Sequence, residues 1–151
     1  MKSAYIFMIA LFIILTIAAI IIFLPRTASS LKEITVLDRQ IKVLVADSTS
    51  ERIKGLSGIE TTGLDADGML FVFSDSAVRQ FWMHGMEFDL DVVWIADDKV
   101  VKVNYDLPAP KKGESTAKMS SDPFSVNYVL ELPAGKAEFY DLFPGQIIKF
   151  D

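Results

Sequence analysis

None of the 151 residues is cysteine. That absence excludes disulfides, thiolate nucleophiles, zinc–thiolate sites and iron–sulfur clusters. It also excludes a lipoprotein anchor, which needs a cysteine to carry the lipid. Histidine occurs once, at His84. There is no Lys/Arg cluster beyond the short Lys111-Lys112 pair, and no internal repeat. All 20 acidic residues and 13 of the 15 basic ones follow Ser30, so that part of the chain carries a net charge near −7. An acidic domain is a poor nucleic-acid partner, because neutralising phosphates supplies most of that affinity. It is equally unsuited to lie flat on an anionic membrane surface.

What is present in excess is apolar sequence at the start. Residues 4–24 form one apolar run whose only polar member is Thr16. At about 1.5 Å per residue, a helix of that length crosses a hydrocarbon core of about 30 Å. The run exceeds the roughly 7–15 apolar residues of a cleaved signal, which favours a retained transmembrane helix. The small residues Thr27-Ala28-Ser29-Ser30 keep cleavage, and hence secretion, as the alternative. Lys2 precedes the run while Arg26 and Lys32 follow it, so the charge balance across it is nearly even. A very short N-terminus is easily left inside, which places the C-terminal domain outside the cytoplasm. Residues 1–30 are thus expected to be anchor and linker, and residues 31–151 one domain.

The domain reads as strands. Ile41, Val43 and Val45 alternate with Lys42 and Leu44. Ser48-Thr49-Ser50-Glu51 caps a short helical turn that Gly55 ends. Asp65-Ala66-Asp67-Gly68 is a turn, lacking the further oxygen ligands of a calcium loop. Residues 69–73 form an apolar strand buried on both faces. A turn at residues 74–76, a strand over 79–83, a strong strand over 88–96 and a hairpin partner over 99–105 follow. Residues 107–123 look like a long loop. A strand over 126–132, a short helix within 134–142 and a last strand over 147–150 complete the chain. The expected fold is mainly β, a compact barrel-like or sandwich domain with short helices, preceded by one N-terminal transmembrane helix.

Several blocks occur together in one order: Gly55-Leu56, Gly68-Met69-Leu70-Phe71-Val72-Phe73, Phe81-Trp82-Met83, Leu90-Asp91-Val92-Val93 and Tyr128-Val129-Leu130-Glu131-Leu132-Pro133-Ala134-Gly135. In these the chain resembles the DUF192 family, from about Arg52 to the C-terminus. The resemblance implies a small β-rich domain, often behind an export signal, without an established activity. The chain departs from the family pattern at His84-Gly85-Met86, where Lys-Asn-Thr is usual, at Asp89 and at Met119.

Four residues are candidates for contacting a ligand: Trp82, His84, Asp91 and Ser120. Alternation places Trp82 on the opposite face from Phe81 and Met83, which frees one side of that motif. His84 could act as base or metal ligand, but it stands beside Gly85 at a turn and reads more simply as a solvated residue. Glu87, Asp89 and Asp91 alternate, which would put three carboxylates on one face. They could hold Ca²⁺ or Mg²⁺, although a solvated strand face explains them as well. Asp91, flanked by apolar residues, is expected to accept backbone N–H groups or to pair with Arg79. Ser120-Ser121 could supply a nucleophile only with a base nearby.

No catalytic residue, metal site or cofactor is assigned. The expected function is a non-catalytic binding or interaction module. Its partners would be the membrane, through residues 4–24, and a protein or small-molecule ligand. The expected surface is the 81–91 segment with the 107–123 loop, around Trp82. The alternative is a small hydrolase or carbohydrate-acting enzyme using Asp91 with His84 or Ser120.

Overall fold

The computed structural model describes residues 30–111 and 113–150. The apolar run over 4–24 lies outside the described residues, and among these no helix is long and apolar enough to cross a membrane. The described chain is mainly β. In order it forms β1 (Leu31–Val36), β2 (Arg39–Ala46), α1 (Thr49–Lys54), β3 (Gly68–Ala77), β4 (Gln80–Trp82), β5 (Leu90–Ala96), β6 (Lys99–Leu107), β7 (Lys118–Ser120), β8 (Val126–Pro133), α2 (Lys136–Phe139) and β9 (Ile148–Phe150).

Seven strands make one sheet in the order β6-β5-β8-β3-β2-β1-β9, and β4 pairs with β7 in a separate ribbon. The β2–β3 pair is parallel. Its crossover carries α1, which is what a parallel connection requires. The sheet curls into a half-barrel because its two edges meet. Val100 N–H donates to Gln146 O at 2.9 Å and Ile148 N–H to Asp98 O at 2.8 Å, beside a Lys99–Ile147 bridge.

Both faces of the sheet are covered, which explains the unbroken apolar runs of β3 and β5. The concave face holds Ile34, Ile41, Leu70, Val93, Ile95, Leu130 and Leu132, closed by Ala137, Tyr140 and Leu142 around α2. The other face holds Met69, Phe71, Val92, Trp94 and Val129 beneath Leu56, Met83, Met86 and Met119. The β4–β7 ribbon is pinned there by Phe81, whose ring meets Phe71 edge-on at 4.9 Å and Trp94 at 5.6 Å. A strand between two apolar layers has no solvent face, so period-2 alternation is lost in it.

Three expectations change. Residues 31–36, ahead of the first expected strand, form β1 in a hairpin with β2. Residues 74–76 do not turn; β3 runs on to Ala77 past an irregularity between Val72 and Ala77. The stretch over 107–123 is not all loop, because β7 leaves it to pair with β4.

At the start of β3, Gly68 is required by close approach. A Cβ there would sit 2.2 Å from the carbonyl oxygen of Glu131 and 2.7 Å from Leu132 Cδ2. The first is backbone and cannot swing away. Gly68→Ala is therefore expected to lower stability by about 3 kcal/mol, read as a lower urea midpoint. A midpoint unchanged from wild type would show that β3 and β8 are less tightly apposed.

Candidate functional site: a buried carboxyl beneath Trp82

The four sequence candidates separate into two pairs. Trp82 and His84 share one cleft, whereas Asp91 and Ser120 line neither of the clefts at Trp82. Trp82 ends β4 with its side chain turned outward and is 55% exposed, while Phe81 and Met83 face inward. His84 is exposed in the turn that follows. That turn is held against the segment after α1, where Gly58 N–H donates to Gly85 O at 2.8 Å. Gly85 has φ +71, and a Cβ there would meet Ser57 Oγ at 2.1 Å.

Asp91 is fully buried on the concave face. Its Oδ1 accepts Asp106 N–H and its Oδ2 accepts Ala137 N–H, both at 2.9 Å. It does not pair with Arg79, which binds Asp75 Oδ1 at 2.8 Å. The three alternating carboxylates do not share a face either. Glu87 and Asp89 are exposed ahead of β5, and only Asp91 lies within the strand. Asp89 instead accepts Ala109 N–H at 2.8 Å. Ser120 Oγ accepts Asp122 N–H at 3.1 Å, and buried Ser121 is held between Arg79 N–H and Phe124 O. Asp91 therefore cannot act with His84 or Ser120 on a bound substrate.

The clefts are formed by α1, not by the 107–123 loop. Ser48 and Glu51 form a capping box that starts this helix, and Gly55 ends it. Arg52 and Ile53 face Trp82 from α1, and Ile53 is 72% exposed. On one side of Trp82 lies a cleft of about 450 Å³, where Phe73, Val78 and Arg79 join these residues. Arg79 stacks on the Phe73 ring at 4.0 Å and Arg52 approaches it at 5.2 Å. Arg52 is further committed to the backbone, donating to Asp47 O and, at 2.9 Å, to Val72 O.

On the other side lies a smaller cleft of about 190 Å³, and it holds a residue that the sequence reading did not single out. Glu131 in β8 is only 5% exposed. It stands in register with Met69 of β3 and Val92 of β5, two members of the apolar layer beneath the ribbon. Leu56, Phe71 and Met86 surround the cleft, and Lys54, Ser57, His84 and Trp82 form its rim. Among the described residues, no group donates a hydrogen bond to the Glu131 carboxyl or forms an ion pair with it. Burial pushes this carboxyl up to about 8, well above the ordinary glutamate value. It is thus largely protonated at neutral pH, a donor and acceptor without a partner. The available signal was a charge inside a strand with no solvent face: Glu131 lies between Leu130 and Leu132 with Val129 before it.

A curled sheet with a capping helical turn and a covering ribbon defines a small β-domain with a cleft between the turn and the ribbon. The DUF192 family, described as "uncharacterized ACR", matches residues 32–150. The chain belongs to this family. No curated protein matches it. Two solved structures share its fold. One, from Sinorhizobium meliloti 1021, is described as a proposed transcription regulator; it is 24% identical, with a TM-score of 0.71 over 83% of this chain and 97% of that one. The other, a protein of unknown function from Novosphingobium aromaticivorans DSM 12444, is 21% identical, with a TM-score of 0.67 over 84% of this chain and 90% of that one.

Proposed function

We propose that the domain is a non-catalytic binding module whose ligand site is the pair of clefts flanking Trp82. One observation carries this reading: an exposed indole stands between two concave surfaces, one of them floored by a buried, unpartnered carboxyl. A largely apolar cleft with a few polar groups is the usual form of a small-ligand site. An exposed tryptophan beside exposed Ile53 and Val78 supplies contact area with little rotamer freedom to lose. In this reading residues 4–24 tether the domain to the membrane with its clefts outside the cytoplasm, and the partner is a protein or small molecule of that compartment. The net charge near −7 disfavours nucleic acid.

The test is affinity capture with the membrane-intact protein. Species held by wild type should be lost with Trp82→Ala and kept with Phe143→Ala, which removes an exposed aromatic outside both clefts. Identical capture by all three proteins would reject Trp82 as the binding surface.

A further inference from the structure

The chemistry of the smaller cleft narrows its ligand class. Glu131 forms its floor, and the strands packed beside it contribute only Met69 and Val92 at that level. The charged or titratable groups facing it are those of the rim: Arg52 and Lys54 from α1 and its end, and His84 from the turn after β4. The carboxyl draws no hydrogen bond from any of them, and burial holds it protonated at neutral pH.

Four ligand classes can be weighed against that arrangement. A purely apolar ligand would leave the buried carboxyl without a partner, which is unfavourable. An anion would meet no free donor in the floor except the acid proton, and would repel Glu131 once that proton left. An ammonium group would need the carboxyl ionised in an apolar layer and would approach past Lys54 and Arg52. A neutral hydroxyl suits the floor as it stands, because a protonated carboxyl both donates to and accepts from one or two adjacent hydroxyls. The rim supplies the other half of the recognition. An exposed indole beside such a floor offers an apolar plate to a ring whose C–H groups lie on one face and whose hydroxyls project at its edge.

We infer that the cleft over Glu131 is a subsite for a neutral saccharide, with Glu131 hydrogen-bonding ring hydroxyls and Trp82 covering one face of the sugar. This rests on the reading of Trp82 as the ligand platform and gives that platform a chemical class. The larger cleft across Trp82 then accommodates the neighbouring units of a chain.

The experiment uses the full chain in phospholipid nanodiscs, which carry no sugar detergent. Triacetylchitotriose, cellotriose and maltotriose are the probes, each titrated against tryptophan emission. Trp82 reports the cleft directly, because Trp94 is fully buried and its indole N–H is bonded to Asn104 Oδ1 at 2.8 Å. At least one probe should bind at pH 6, and its affinity should fall about tenfold by pH 9 as the Glu131 proton is lost. Glu131→Gln keeps a donor and an acceptor and should bind with no such pH dependence. Glu131→Leu, checked for folding by circular dichroism, should not bind. Absence of binding by all three sugars, affinity that rises with pH, or undiminished binding by folded Glu131→Leu would each overturn the inference. n-Butylammonium separates the two levels. If it alone binds, the saccharide class fails and the Trp82 site stands. If no probe binds and Trp82→Ala captures the same species as wild type, both fail.

Discussion

Replacing Asp91 with alanine is expected to destabilise the domain by about 4 kcal/mol, a large share of the roughly 5–15 kcal/mol that holds a domain folded. The pairing of β5 with β6 shifts register between Leu90 and Val92, so the backbone opposite Asp91 cannot complete its ladder. Asp106 turns there with φ +50, a conformation few non-glycine residues adopt, and its N–H is taken by Asp91 Oδ1. The other oxygen takes the Ala137 N–H in the first turn of α2. One side chain thus joins the end of β6 to the helix that closes the concave core. Alanine strands the buried Ala137 N–H where water cannot reach, deprives the part-buried Asp106 N–H of its acceptor and leaves a void. Asparagine keeps one acceptor but points an amide at a donor, so about 2 kcal/mol is expected. Urea denaturation decides: both variants within about 0.5 kcal/mol of wild type would refute the anchoring role.

A second large effect is expected from pH. Glu131 titrates near the ordinary glutamate value of 4.5 when unfolded and at about 8 when folded. Between those values the folded state holds a proton that the unfolded state has released. Stability is therefore greatest below pH 4.5 as far as this group is concerned, and falls steadily as pH rises to 8. Above pH 8 the loss is complete, on the order of 5 kcal/mol. Glu51, held low by its hydrogen bond from Ser48, and Asp75, held low by that from Arg79, act in the opposite sense. Their contributions are lost only as pH falls below about 4.5, so they leave the window of Glu131 clear. Glu131→Gln should abolish the decline and exceed wild type in stability at pH 8.5. Parallel pH–stability curves for the two proteins would show that the carboxyl is paired or solvated.

The same burial explains what the sequence could and could not reveal. The capping box at Ser48, the apolar strand through Phe71, the Asp97-Asp98 hairpin and the outward turn of Trp82 each depend on neighbours within a few residues, and each was legible. The anchoring of Asp91 was legible as a carboxylate in an apolar strand, though not its donors, which come from Asp106 and Ala137. The wall of the cleft was not legible. The expected 107–123 segment does lie beside Trp82, since β7 pairs with β4 and sets Lys118 opposite Trp82, but the clefts are walled by α1, which the parallel β2–β3 crossover brings there. Glu131 was hidden for a related reason. A glutamate in a strand ordinarily marks the solvent face, and only the covering ribbon and α1 turn that face into an interior one.

Ligands are expected to enter beside Trp82, and chemical-shift mapping of a small-fragment set tests this most directly. The chain has two indole N–H groups, and that of Trp94 is buried and internally bonded. Binding at the proposed site should move the Trp82 indole signal together with the Ile53 methyls, while the Trp94 signal stays in place. Fragments that instead moved residues around Phe139 and Phe143, with Trp82 unchanged, would place the binding surface elsewhere and contradict the account.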